Sequence, residues 1–430
     1  MIIGLKIIDK LRGTNILEHY RAFKQLPDDS GFIEKQQKIN LSTFLLTIRD
    51  RNAFYHPLLH AFKPAEISED PVRVLSSLPV MDKAFINENF DLLFTPIKGI
   101  PYQQKKTGGS TGNPFRFYVD KAHLSGMWAL NYYFWHQYSG YNPGDPFVTI
   151  AGTSLRTDNH RFAENTYHNL QNNYFVKGDI IEKNFTPDAG KLKKAVLIYG
   201  YPSSIYSILK MKPDFPRYFE QLKAIFTTSE QLQPGVRQAI EKAFNRPVFD
   251  IYGANDGGIL GCECKVHQGY HFNFNHCYVE TIAHTSGMNE LLLTNMKSLT
   301  QPFIRYKVGD VGSIINTQCG CGSFWPRITE LQGRTRDMIY LPDGSTIHGS
   351  LFNKIFYSLP EIESYRIIQQ ADYSIHIFIR MNEGYKLNDY SLKLKDKLAK
   401  QLNMLNFEIF PMPPFDSSNS KFKIIESHVV

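Results

Sequence analysis

The spacing of apolar positions changes twice along this chain. Up to about residue 100 they are scattered at helical intervals, most clearly between Tyr20 and Phe62. Pro57, Pro64 and Pro71 punctuate the exit, so the lead-in is predicted to be mostly helical. From about 100 to 335, short apolar runs alternate with amphipathic segments. Residues 147–150, 195–199, 224–228 and 247–252 each read as a strand, and Val236, Ile240, Ala243 and Phe244 keep helical spacing from Pro234 onward. Strands alternating with helices predict α/β layers. Runs at 278–282 and 290–294 extend the pattern into a more β-rich part. A boundary is placed near Gly333 to Asp337. Beyond it, 338–341 and 345–347 flank the turn Pro342-Asp343-Gly344, and 364–369 and 374–380 alternate as strands. Leu394, Leu398, Leu402 and Leu405 stripe one helix before a last strand at 407–410. The expected fold is α/β, with layered subdomains over 1–333 and a small α+β unit over 334–430.

Composition narrows the class more than the function. Of the 430 residues, 42% are hydrophobic and 21% charged, as in soluble globular proteins. The net charge of +7 suits an anionic ligand, but no dense basic cluster argues for nucleic acid. The densest run, Lys393 to Lys400, alternates with the striped leucines and fits a wet helix face. The apolar start has no basic n-region or cleavage site, and no apolar stretch approaches the roughly 18 residues of a membrane span. Five cysteines do not suggest a secreted disulfide framework. A cytoplasmic location is expected, and the sequence leaves a homodimer open.

Chemistry concentrates in a few short segments. Thr107, Gly108, Gly109, Ser110, Thr111 and Gly112 run into Asn113 and Pro114. Such glycines let backbone N–H groups approach a ligand, and the hydroxyls add donors, making a nest for phosphate oxygens. Neither a Walker loop nor a dinucleotide fingerprint fits, because Gly112 is not followed by Lys-Ser/Thr and Gly-x-Gly-x-x-Gly is absent here. Ser229 and Glu230 end the run Thr227-Thr228-Ser229-Glu230. Tyr252, Gly253, Ala254, Asn255 and Asp256 end the next strand. Arg305 and Asp310 fall in Arg305-Tyr306-Lys307-Val308-Gly309-Asp310, and Arg334 and Arg336 sit in 333–337. Taken singly, Asp310 reads as a turn residue, Arg305 as a strand cation and Tyr252 as a core tyrosine.

In order and spacing these segments resemble the core motifs of adenylate-forming enzymes, most closely the phenylacetate-CoA ligase and capsular-polysaccharide CapK branch. Leu78-Pro79-Val80-Met81-Asp82-Lys83 and Tyr199-Gly200-Tyr201-Pro202 also look like that branch. The resemblance covers roughly residues 75 to 425. It implies an N-terminal adenylation domain, a mobile C-terminal lid, and activation of a carboxylic acid by ATP and Mg2+ to an acyl-adenylate. Coenzyme A is the implied acceptor, and an amine, hydroxyl or carrier protein is the alternative. The 107–114 loop would hold the β- and γ-phosphates, Tyr252 the adenine, Asp310 the ribose hydroxyls and Asp256 the magnesium. The family usually has Glu at the Asp256 position, Ser/Thr at Asn255 and Gly at Ser420. Lys421 matches the lysine that serves adenylation, with Lys423 as fallback, and the lid would turn about 334–337. These departures keep alive a zinc-containing binding protein with a degenerate nucleotide site.

Aromatic residues make up 13% of the chain, which permits an aromatic acid and a pocket around Tyr132, Tyr133, Phe134 and Trp135. Cys262, Cys264 and His267 are followed by Cys319 and Cys321. Thiolates plus imidazole at short spacing suit a structural, tetrahedral zinc site, expected on Cys264, His267, Cys319 and Cys321, with Cys262 as the alternative. Reduced free thiols are the other reading.

Overall fold

The computed structural model describes residues 2–106, 115–151, 161–177, 188–254, 256–283, 289–334, 338–342, 346–348, 352, 355–356, 359, 361–399, 406–412 and 424–429. Helices α1 (Ile2–Arg12), α2 (Ile16–Gln25) and α3 (Ser30–Arg49) are followed by five short ones, α4 to α8, between Tyr55 and Leu93. Asp29, Asp70 and Asp82 each accept a first-turn N–H and so start α3, α6 (Pro71–Ser77) and α7 (Lys83–Glu88). Strands β1 (Tyr102–Lys106) and β2 (Arg116–Asp120) form a separate antiparallel hairpin. Its base is tied to the 299–301 loop, because Asp120 accepts from the N–H groups of Leu299 and Thr300.

Among the described residues, the main sheet has eleven strands. One half is parallel, in the order β4 (Asn173–Lys177), β3 (Phe147–Ala151), β5 (Leu197–Gly200), β6 (Ala224–Thr228) and β7 (Val248–Ala254). Every residue of β3 and β6 is buried, as expected for parallel strands covered on both faces. Helices α9 (Lys121–Ser139), α10 (Arg161–Leu170), α11 (Ala189–Lys194), α12 (Pro202–Met211) and α13 (Pro234–Phe244) accompany this half. The chain reverses after β7 into an antiparallel half. It contains β8 (Ile259–Glu263), β9 (Tyr270–Phe272), β13 (Arg327–Arg334), β12 (Tyr306–Ile315), β11 (Asn289–Asn295) and β10 (Cys277–Ala283).

Gly200 shows how closely the parallel strands approach one another. It pairs with Ile150, and a methyl group on it would land on the Ile150 carbonyl oxygen. Backbone cannot yield as a flexible side chain can. Gly200→Ala is expected to destabilise the protein by about 3 kcal/mol or more, read as a lowered thermal midpoint or lost soluble expression.

A second, smaller unit follows. It has a β14 (Met338–Tyr340) and β15 (Thr346–His348) ribbon and a four-stranded sheet in the order β18 (Phe407–Pro411), β17 (Ile375–Met381), β16 (Ile362–Gln369), β19 (Ile425–Ser427). Helix α14 (Leu387–Ala399) packs on it, with Leu394 and Leu398 in a core of its own. Burial alternates along β16 and β17, the mark of a sheet covered on one face. Glu363 at the start of β16 meets Lys210 of α12 at 2.9 Å, joining this unit to the main body. Among the described residues, no helix is long and apolar enough to cross a membrane.

Candidate active site

The parallel strands end together, and open α/β sheets bind ligands at that carboxyl edge. Tyr252 lies near the end of β7. Its hydroxyl donates to Asp310 Oδ2 of β12 at 2.7 Å, across 58 residues of sequence. Burial, reinforced by the Asp310 charge, pushes the Tyr252 hydroxyl well above its ordinary range, so it stays a donor. Asp310 is also in register with Arg334 at the end of β13. Gly253 is exposed beside Tyr252, and a Cβ there would come 3.1 Å from Leu260 Cδ1.

Asp256 sits in the turn after β7 and is 7% exposed. Its Oδ2 accepts from Tyr306 Oη at 2.8 Å and faces Lys83 Nζ at 3.5 Å. Lys83 Nζ in turn lies 5.6 Å from the centroid of Phe115, the first described residue after the glycine segment. Lys106 and Arg116, on either side of that segment, are paired in register. Thus the rim of the hairpin, α7, β7 and β12 meet at one place.

Arg305 reaches back to the segment before α7. Its Nη1 donates to the carbonyls of Ser76 and Leu78, both at 2.8 Å, and its Nε faces Glu280 at 3.2 Å. Its backbone is left-handed, at φ +49°, and Met81 bridges to Tyr306 alongside it. A guanidinium spent on two carbonyls and a carboxylate clamps the 76–81 segment, and with it sets where Lys83 starts α7. Ser229 follows β6 at φ +69°. Glu230 Oε2 accepts from Ser203 N at 3.2 Å, satisfying one of the orphan donors of α12. Thr107, Gly108, Gly109, Ser110, Thr111, Gly112, Asn255, residues 335–337 and Lys421 lie outside the described residues. Lys83 and Tyr306 were not singled out from sequence.

The cysteines converge, with a different imidazole. Ligand atoms of Cys264, His271, Cys319 and Cys321 all lie within 4.8 Å of one another. Cys264 Sγ and Cys319 Sγ are 3.8 Å apart, about the edge of a tetrahedron with the Zn–S bonds of ~2.3 Å that zinc makes. His271 Nδ1 is held 2.8 Å from the Trp325 carbonyl, and Nε2 faces Cys321 Sγ at 3.5 Å. Burial keeps that imidazole below its usual pKa, in the neutral form that ligates. His267, the residue expected from spacing, is turned away. The Cys264–His267 turn closes on its own backbone bond, and the ring goes to Glu263 at 3.2 Å. Cys262 lies in the hydrophobic core and is not one of the four.

The rings at 132–135 also differ from expectation. Tyr132, Phe134 and Trp135 are 0–1% exposed and belong to the main core, where Trp135 packs on Phe147 and Phe226. They fill the interior and leave no pocket role to infer.

No family model matches the chain. Protein CapK of Staphylococcus aureus is 24% identical over 405 residues, 91% of this chain and 88% of that protein. A phenylacetate-coenzyme A ligase of Thermus thermophilus is 23% identical over 155 residues, 34% of this chain and 35% of that protein. Among solved structures, 2-hydroxyisobutyryl-CoA ligase in the postadenylation state, in complex with R3-HIB-AMP, superposes with a TM-score of 0.66. It is 17% identical, and the match covers 92% of this chain and 89% of that one.

Proposed function

We propose that this chain is an adenylate-forming, acyl-CoA-ligase-like enzyme that activates a carboxylic acid with ATP and passes the acyl group to coenzyme A. The observation that carries the reading is the meeting of Tyr252 with Asp310 and of Asp256 with Tyr306 and Lys83 at one sheet edge.

In this reading the acid's carboxylate attacks the α-phosphate, and pyrophosphate leaves. Asp310, pre-oriented by Tyr252, accepts from the ribose hydroxyls. The 107–112 segment cradles the β- and γ-phosphates. Asp256 keeps Oδ1 without a partner among the described residues, which suits a hard cation such as Mg2+. That ion would neutralise phosphate charge when bound. Lys83 carries positive charge to the same spot. Lys421 adds charge from the small unit, which turns about 334–337 to admit coenzyme A. Arg334 lies at that pivot, and Ser229, Glu230 and Gly253 shape the strand-end loops. Cys264, His271, Cys319 and Cys321 hold a structural zinc, since four protein ligands leave no open position for catalysis. Reduced thiols and the two nucleotide substrates fit a cytoplasmic protein.

ATP–pyrophosphate exchange with a panel of acids tests the reading. Acid-dependent exchange supports it, and silence with every acid contradicts it. Within it, Asp310→Ala should raise the KM for ATP about 10- to 100-fold, the loss of a charged acceptor. Tyr252→Phe should raise it only a few-fold, because the carboxylate remains. Steady-state kinetics in ATP check both.

A further inference from the structure

Behind the turn that carries Asp256, the chain gathers imidazole and ammonium groups that the reading above does not use. His276 precedes β10 and Lys297 follows β11. Those strands pair Cys277 with Asn295, and Met296 N donates to the His276 carbonyl at 2.8 Å. Both strand ends press on the Asp256 turn. Cys277 Sγ lies 3.7 Å from the Gly257 carbonyl oxygen, and a Cβ at Gly258 would meet the Asn295 amide. His123 comes from the first turn of α9. One turn on, Gly126 leaves room for His276, since a Cβ there would strike the imidazole. His19 of α2 approaches His276 edge-on, with ring centroids 5.8 Å apart. Asn273 donates to the Gly258 carbonyl at 3.2 Å and reaches Met127 of α9, fixing the turn against this helix.

The groups are short of partners. His123 is 1% exposed and His276 3%, and each keeps Nδ1 without a hydrogen bond among the described residues, as does Nε2 of His19. Buried polar atoms of this kind are rare and call for an explanation. Lys297 and Lys105 are half-buried, and among the described residues no carboxylate offsets their burial. Glu18 and Asp9 are the carboxylates that act on His19, and Asp9 is occupied by Thr14 and the N–H groups of Ile16 and Leu17. Burial first, then the neighbouring positive charges, lowers the pKa of His276, and burial with Lys105 holds His123 down to about 4. An anion bound between these groups would offset both effects at once.

We propose that His123, His276 and Lys297 bind a second anionic group, carboxylate or phosphate, at the end of the acid substrate remote from the carboxyl that reacts beside Asp256. The inference rests on the ligase reading and narrows its substrate to dianionic acids.

The test is ATP–pyrophosphate exchange by the full chain with acids of matched length that end in methyl, carboxylate or phosphate. Wild-type kcat/KM should be at least about 10-fold higher for one of the dianionic acids, the effect of a charge-assisted hydrogen bond. Lys297→Met should raise the KM for that acid about 10-fold and leave the KM for ATP and the methyl-ended acid in place. Exchange that favours the methyl-ended acid, or treats all three alike, overturns the inference and leaves the ligase reading standing. Equal loss for all acids in Lys297→Met assigns the cluster to folding and also overturns it. If the variant does not fold, the wild-type ranking decides. No exchange with any acid removes both readings.

Discussion

Lys421→Ala is expected to lower acid-dependent ATP–pyrophosphate exchange by about 100- to 1,000-fold, the cost of removing one donor aimed at developing charge. In-line attack on the α-phosphate puts negative charge on non-bridging oxygens that a compact ammonium can meet. Lys421 lies just before Ile424, whose carbonyl accepts from Ile367 N at 2.7 Å where β19 joins β16. In the proposed mechanism the lysine moves with the small unit. Under that mechanism the lysine leaves before the second step, so thioester formation from a synthetic acyl-adenylate should survive the substitution within a few-fold. Loss of both half-reactions would show that Lys421 supports the fold. Loss of exchange in Lys423→Ala alone would move the role two residues on.

His271→Ala is expected to empty the thiolate cluster of zinc, whereas His267→Ala should leave one zinc per chain. Elemental analysis of the purified variants reads the difference. The geometry decides between the two histidines. His271 Nε2 faces Cys321 and its other nitrogen is anchored on Trp325, while His267 is engaged by Glu263 and packs against Phe249 at 5.9 Å. Structural zinc contributes directly to folding free energy. His271→Ala and Cys319→Ser should each cost several kcal/mol, seen as a thermal midpoint lowered by several degrees. A wild-type protein with far less than one metal per chain would remove the site.

Legibility in the sequence followed physical exposure. The run Ala224 to Thr228 is buried throughout, so its apolar and β-branched pattern could be read directly. The alternating strands of the small unit, β16 and β17, were equally plain. Strand β1 was not, because Tyr-Gln-Gln-Lys-Lys is polar and owes its conformation to pairing with β2. Helix α9 gave no stripe, since Leu130, Tyr132, Phe134 and Trp135 are buried on several of its faces. Their aromatic density therefore suggested a pocket where the chain builds its core. Motif order pointed to Tyr252, Asp256 and Asp310, because those segments are contiguous in sequence. Tyr252 meets Asp310 and Asp256 meets Tyr306 at one sheet edge. Lys83 and His271 depend on partners far along the chain, Asp256 and Trp325, which no local pattern shows. Arg305 was no more legible, because its contacts are with the 76–78 carbonyls and Glu280, segments distant in sequence.

Oxygen tracing tests the central claim most directly. An acid labelled with 18O in its carboxyl group is turned over with ATP and coenzyme A, and the nucleotide product is weighed by mass spectrometry. Carboxylate attack on the α-phosphate predicts AMP carrying one labelled oxygen, with unlabelled pyrophosphate. Label in inorganic phosphate, with ADP as the nucleotide, would contradict the account.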